Sequence, residues 1–200
     1  GIDITAHPIV PLVRAISEKC PHGLGEFVHW GATTQDIIDT GLVLQLRNAW
    51  TLIHERLESM IEILTDISLE HAETAMAGRT HGQHAQPVTL GYKTAVWLDE
   101  ARRNLDRLDE CRPRLLVGQF GGAVGTLASL GEQGLAVRAG VMRELGLAEP
   151  AITWHTARDR FVEFVAILGL IGGLCGKIGN EVYALQRTEF AELEEPYPDG

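Results

Sequence analysis

His81 and His84 stand three positions apart in the most polar stretch between the helix-like segments of the chain, and an imidazole is the side chain best suited to proton transfer near neutral pH. Ala77 to Gly91 holds them beside an arginine, two glutamines, three glycines and a proline, a mixture that core packing does not ask for. Loops held between rigid elements are where binding and catalytic groups concentrate. Three roles compete for the pair. Acid/base work is the sharpest, and tethering of the loop through backbone hydrogen bonds is the blander alternative. Metal ligation ranks last: Gly82 and Pro87 disfavour the helix that would put both rings on one face, and neither an H-E-x-x-H pattern nor a cysteine cluster is nearby. No metal or other cofactor is expected.

A second candidate precedes the first long apolar repeat. In Trp30-Gly-Ala-Thr-Thr-Gln-Asp36, Thr33 or Thr34 can cap a helix and Asp36 can close the capping box from its first turn. The same N–H groups, with two hydroxyls and the Gln35 amide, suit a carboxylate drawn to the positive end of a helix. Capping alone and capping with binding both fit. His7, His29 and His155 read singly as structural, and His54 and His71 fall on the long repeat as ordinary helix residues. Gln119 to Thr126 is glycine-rich but lacks both the G-x-G-x-x-G spacing after a strand and a Gly-Lys-Ser/Thr, so a nucleotide phosphate loop is discounted.

Periodicity supplies the frame that must position these groups. Ile38, Leu42, Leu46, Trp50, Ile53, Leu57, Met60, Leu64 and Ile67 advance by fours and then alternate three and four, the repeat of a helix seam. They predict one helix from near Thr34 to near His71, about 55 Å long at the usual rise per residue. Phe161, Phe164, Leu168, Ile171, Cys175, Ile178, Val182 and Leu185 predict another. Leu98, Ala101, Leu105 and Leu108 carry a shorter seam after Pro87, which is placed to open that helix at its first turn. Shorter helices are expected over Ile9 to Ser17, entered through Pro8 and Pro11, and over Glu132 to Leu145, ended by Gly146. No strand is predicted. The fold class is all-α, with three long antiparallel rods of an extended bundle or an oligomer.

The chain has 200 residues, 45% of them hydrophobic and 22% charged, enough for one sizeable core or one large domain with an attached piece. A formal charge of −10 and a pI near 5.2, with no run of Lys and Arg, argue against nucleic acid or an anionic membrane as partner. Cys20, Cys111 and Cys175 are widely spaced, which fits reduced thiols in the core of a cytoplasmic protein better than a disulfide framework. No basic-then-apolar leader is visible after Gly1. Phe164 to Gly176 is too short an apolar run to span a bilayer and reads as a buried helix. Glycines 169, 172, 173, 176 and 179 fall at helical spacing and would let a neighbouring backbone approach.

Three ordered motifs carry a family resemblance. His29-Trp-Gly-Ala-Thr-Thr-Gln-Asp-Ile-Ile-Asp-Thr40, Gly78-Arg-Thr-His-Gly-Gln-His-Ala-Gln-Pro87 and Trp154-His-Thr-Ala-Arg-Asp-Arg160, with the glycine-striped helix behind it, resemble the fumarase/aspartase superfamily. The branch is the one that holds adenylosuccinate lyase and 3-carboxy-cis,cis-muconate cycloisomerase. The resemblance covers essentially the whole chain. It implies an all-helical homotetramer whose long helices pool into a central bundle, with each active site built from three subunits. Residues 1–32 would then end an N-terminal helical domain, and 33–200 would form the central long-helix domain, incomplete at its C-terminal end.

The implied chemistry is anti elimination. A base removes a proton beside a carboxylate, an aci-carboxylate forms, and a C–N or C–O bond breaks to release fumarate. The resemblance makes His81 the general acid near the leaving group and His7 the second histidine, although Ala6 and Pro8 replace the usual neighbours of the latter. Thr33 and Thr34 match the pair that binds a substrate carboxylate, with Gln35, Gln83, Lys93 and Arg158 as further binders. The expected base is a serine on a Gly-Ser-Ser-x-Met-Pro-x-Lys-x-Asn loop, which this sequence does not contain. Gly200 falls about where that loop would begin, so the chain reads as a central fragment, inactive alone.

His7 and His81 favour a lyase, whereas Gly-Ala-Thr-Thr-Gln-Asp, Arg114 to Gly122 and Trp154-His-Thr156 look more like the cycloisomerase. The expected function is an adenylosuccinate-lyase-like elimination on a succinyl-type polycarboxylate. The lactonising or ring-opening cycloisomerase is the alternative, and a non-catalytic scaffold of the same fold is a second. The partners expected are a small polycarboxylate and further copies of the chain, not nucleic acid or membrane.

Overall fold

The computed structural model describes residues 2–6 and 8–196. Its elements are α1 (Ile2–Thr5), α2 (Ile9–Ser17), α3 (Thr34–Glu70), β1 (Ala75–Thr80), β2 (Gln83–Thr89), α4 (Leu90–Leu115), α5 (Gly134–Leu145) and α6 (Asp159–Leu185), with a single 3-10 turn at Leu24–Phe27 and a 3-10 stretch at Ala128–Gln133 kinked at Gly131. The all-α class holds, and its long rods lie where the seams put them: α3 runs for 37 residues, α4 for 26 and α6 for 27. Gly146, at φ +63°, ends α5 in the left-handed conformation that a helix C-terminus favours.

The chain forms two compact units. Residues 1–48 and 113–160 make the first; residues 49–112 and 161–200 make the second. The core of the second follows the predicted seams in part: Leu57, Leu64 and Ala101 lie on them, whereas Ile61, Trp97 and Leu174 are each one position away from a predicted residue. Leu57, Ile61 and Leu64 of α3 meet Trp97 and Ala101 of α4 and Leu174 of α6, with Met60, Leu98, Leu105, Ile171 and Ile178 at its margin. Cross-links between α4 and α6 flank this core, from Lys93 to Glu181 and from Lys177 to Glu100.

In the first unit every residue from Leu115 to Gly122 is buried, so its backbone groups need partners inside the protein. Val117 bridges Ala148 as a short parallel pair, with the Gly118 N–H donating to the Ala148 carbonyl and the Ala148 N–H to that of Leu116. The Thr40 hydroxyl donates to the Gln119 carbonyl at 2.7 Å and accepts the Gln119 N–H at 2.9 Å. Trp154 closes the same run, its indole N–H donating to the Gly118 carbonyl and its backbone N–H to the Gln119 side-chain oxygen.

Three expectations are corrected. β1 and β2 form an antiparallel hairpin where no strand was predicted, because neither strand has a buried face, β1 being half-buried from Met76 to Arg79 and β2 mostly exposed, so neither carries an alternating apolar pattern. Pro87 does not open α4. It pairs with Ala77 inside β2, a position open to proline because a two-stranded ribbon leaves one edge of each strand free, and the helix begins at Leu90.

α6 is not a buried helix within this chain, since only Phe164, Ile167, Leu174 and Leu185 are buried. A methyl group added at glycine 169, 172, 173, 176 or 179 would meet nothing within 4 Å. By length and composition the whole helix is apolar enough to cross a membrane, unlike the shorter run considered alone. Its Lys177 and Glu181 are nonetheless paired with Glu100 and Lys93 of α4, the arrangement of a bundle helix. All three cysteines are free thiols, but only Cys111 is buried, and Cys175 is exposed on α6.

Leu174, with no exposed surface, sits at the centre of the second unit's core. Leu174→Ala should cost about 3 kcal/mol, the sum of lost transfer energy and a cavity, read from the shift in the urea unfolding midpoint.

Candidate active site

The first polar constellation is built on the start of α3. Asp36, 1% exposed, accepts four hydrogen bonds on its two carboxylate oxygens. Oδ2 takes the N–H of Thr33 at 2.9 Å and of Gly122 at 2.9 Å, while Oδ1 takes the N–H of Gly121 at 3.0 Å and His155 Nε2 at 2.7 Å. The Thr33 contact is the capping box expected from the spacing, with Thr33 as the cap and Asp36 as the third helical residue. The two glycine contacts turn the glycine-rich connection into a nest of N–H groups around an anion, and that anion is the protein's own carboxylate. Gly122 must be glycine, since its φ is +76° and an added Cβ would lie 2.8 Å from the Gly31 carbonyl oxygen.

One turn further along α3, Asp39 takes both arms of Arg158 at 2.8 and 3.1 Å and the Gln35 amide at 2.8 Å. The Arg158 guanidinium is thereby held above its ordinary pKa, chiefly by the hydrogen bond to Asp39. Thr33, Thr34, Gln35 and Arg158 thus share one cluster in the first unit. From the sequence, Asp36 is only a cap partner, His155 is a structural histidine and Asp39 has no role. Their spacing carried a usable signal: residues three apart on a helix share a face, so 36 and 39 present two carboxylates to the same side.

The second constellation is the hairpin. Thr80 pairs with Gln83, leaving His81 and Gly82 as a two-residue loop with φ of +52° and +72°, the signature of a type I′ turn. Glycine takes that conformation freely, whereas histidine takes it at a cost. A strained residue at an exposed tip is an observation from which function can be argued. A bulge between Gly78 and Arg79 places Arg79 opposite His84 and leaves Ala85 unpaired.

Arg79 makes two parallel hydrogen bonds to Glu192, at 2.7 and 3.0 Å. The Glu192 carboxyl is held below the ordinary carboxylate range, first by the Arg79 hydrogen bond and further by the Arg79 charge and the Ala77 N–H, against an opposing desolvation. Lys93 of α4 pairs with Glu181 of α6. His81, Gln83 and Lys93 therefore belong to the second unit, and His7 lies outside the described residues. Among the described residues no three His, Cys, Asp or Glu side chains converge as a metal cage.

Both constellations sit in the motifs that define a known family. A lyase family model matches residues 10–200, and the chain belongs to this family, within the fumarase/aspartase superfamily. It is 53% identical over 194 residues to 3-carboxy-cis,cis-muconate cycloisomerase of Pseudomonas aeruginosa, covering 96% of this chain and 42% of the relative. It is 47% identical to N-acetyl-S-(2-succino)cysteine lyase of Dickeya dadantii, covering 97% and 42% respectively. The crystal structure of fumarate lyase from Mesorhizobium sp. BNC1 superimposes with a TM-score of 0.93 at 49% identity, over 98% of this chain and 46% of that one. The chain spans less than half the length of these relatives.

Two outcomes follow from this geometry. In Asp36→Asn, the amide NH₂ faces the Thr33 and Gly122 N–H groups in one orientation and the Gly121 N–H in the other. A buried donor clash remains either way, so the variant should lose about 3 kcal/mol in denaturant unfolding. The folded pKa of Glu192 is lowered, so the Arg79 pairing stabilises fully above the ordinary carboxyl value of about 4.3 and is lost as pH falls through the lowered one. Glu192→Gln should therefore lose less stability on acidification than the parent, in thermal melts taken between pH 6 and pH 3.

Proposed function

We propose that this protein acts as a lyase, eliminating fumarate or a fumarate-like acid from a succinyl-type polycarboxylate. The observation that carries this reading is His81 at the left-handed tip of an exposed hairpin, in a chain whose family membership runs from residue 10 to residue 200. A base removes the proton beside a carboxylate, and His81 gives the leaving group its proton as the C–N, C–O or, in a thioether, C–S bond breaks, with His7 as the second histidine. Thr33 and Thr34 at the positive end of α3 receive a substrate carboxylate. Gln35, Gln83, Lys93 and Arg158 are further binders. A succinyl thioether, the type of compound named for the Dickeya dadantii relative, enters the candidate substrates beside adenylosuccinate.

Cycloisomerisation of a carboxymuconate is the second reading, favoured by the higher identity to the Pseudomonas aeruginosa relative. The protein works in the cytoplasm as a homotetramer. In support, the glycine face of α6 is open, and Val162, Val165 and Leu170 are exposed beside it. On this reading residues 1–32 end one helical domain and 33–200 belong to the central one.

His81→Asn is the discriminating variant, because asparagine tolerates the left-handed turn while carrying no proton to transfer. It should lower kcat by about 100-fold or more with the oligomer unchanged in light scattering. A retained kcat at saturating substrate would make His81 structural. Assays with adenylosuccinate, carboxymuconate and an S-succinyl thiol, followed by fumarate or lactone formation, separate the two readings.

A further inference from the structure

A hairpin of two strands alone is marginal in water, and this one has little beneath it. Residues 83–87 are exposed, and only Val88 and Thr89 of β2 are half-buried. At its base the Leu90 N–H donates to the Thr74 carbonyl and the Gly91 N–H to that of His71. Those bonds fix where the hairpin leaves the helices, but they do not fix the direction in which its tip points.

Arg79, two residues from His81, supplies what the base does not. Its Nη1 donates to Glu192 Oε2 at 2.7 Å and its Nη2 to Oε1 at 3.0 Å, the two-bond fork that sets orientation as well as distance. The guanidinium lies over the Phe190 ring, 4.7 Å from its centroid. Nη2 also lies 3.4 Å from His84 Nε2.

The far end is itself anchored. The N–H groups of Glu192 and Leu193 both donate to the Leu185 carbonyl at the end of α6, and those of Phe190 and Ala191 donate to the Arg187 carbonyl. The segment after α6 is thus folded back on its own helix, and the hairpin is bolted to that segment across 113 residues of sequence.

We propose that Arg79, Glu192 and Phe190 are positioning residues, a latch between the hairpin and the segment after α6 that sets the orientation of the His81 tip. His84, whose Nε2 faces the same guanidinium, flanks the latch from the other strand. The latch rests on the acid role given to His81 for its catalytic meaning, but it makes a claim about the hairpin that stands apart from that role.

Glu192→Gln keeps the shape and removes the charge, Glu192→Asp keeps the charge with a shorter reach, and the exchange Arg79→Glu with Glu192→Arg restores a pair in reverse. Three readouts apply to the purified protein: amide hydrogen exchange, the Cε1–H resonance of His81, and kcat and KM on the substrate it turns over. Glu192→Gln should speed exchange across residues 75–89 by about tenfold, with α4 and α6 unchanged. It should also shift the His81 resonance and lower kcat by about tenfold at nearly constant KM. Glu192→Asp and the reversed pair should each recover part of both effects.

Unchanged hairpin exchange overturns the latch, and so does exchange that rises equally in α4 and α6, since that is general destabilisation. A loosened hairpin with undiminished kcat overturns its role in positioning. If the parent protein turns over no succinyl or muconate substrate while Glu192→Gln still loosens the hairpin, the latch stands and the functional reading falls.

Discussion

A carboxylate sealed from water must find donors for both of its oxygens, and Asp36 finds four, from the start of α3, the buried run ending at Gly122, and His155. That requirement organises the first unit. The segment holding Thr33 and Thr34 cannot shift without releasing a glycine N–H, and the glycine connection cannot shift without releasing the helix cap. Glycine at 121 and 122 follows from the same demand. An added Cβ would lie 2.6 Å from the Thr153 hydroxyl at the first position and against the Gly31 carbonyl at the second. The nest that in other proteins receives a phosphate is filled from within, which leaves the outer N–H groups of α3 as the place where an external carboxylate could be received.

The second unit is organised by a different shortage. Three helices bury one shared seam, yet α6 carries far more apolar surface than α3 and α4 cover. Its glycines lower the cost of close backbone approach only where another backbone comes near, and among the described residues none does. Large uncovered apolar surfaces mark sites of protein–protein or membrane interaction. Self-association through α6 would supply what the seam lacks and would explain why a helix pays the entropy of five glycines.

The long helices were legible because a heptad-like seam needs only local sequence: Leu57, Leu64, Ala101 and Leu108 are read as core and are buried. The capping of α3 was legible for the same reason. The hairpin was not, because strands with no buried face leave no period of two, and His81-Gly82 is not among the pairs that most often announce a type I′ turn. Pro87 misled for a related reason, as its fixed φ suits a helix start and an edge strand alike. The ion pairs of Arg79 with Glu192 and Arg158 with Asp39 join residues more than a hundred apart, and no local pattern carries that information. For the site, the sequence supplied residue types and motifs, whereas orientation came from partners distant in the chain. His7 lies outside the described residues and rests on the sequence alone.

These ion pairs also rank the cations available to a polycarboxylate. Arg158 is paired to Asp39, a carboxylate with 2% of its side chain exposed, so drawing the guanidinium away would leave a buried charge uncompensated. Lys93 is paired to Glu181, whose side chain is 36% exposed and can exchange its partner for water at small cost. A flexible ammonium is also easier to redirect than a planar fork held by two bonds. The energetics therefore separate two residues that the motifs had placed side by side. On the proposed reading, Lys93 is the cation a substrate draws away from its partner more readily, whereas Arg158 binds only while still paired to Asp39, the pair that holds α3 and the segment from Trp154 to Arg158 in register.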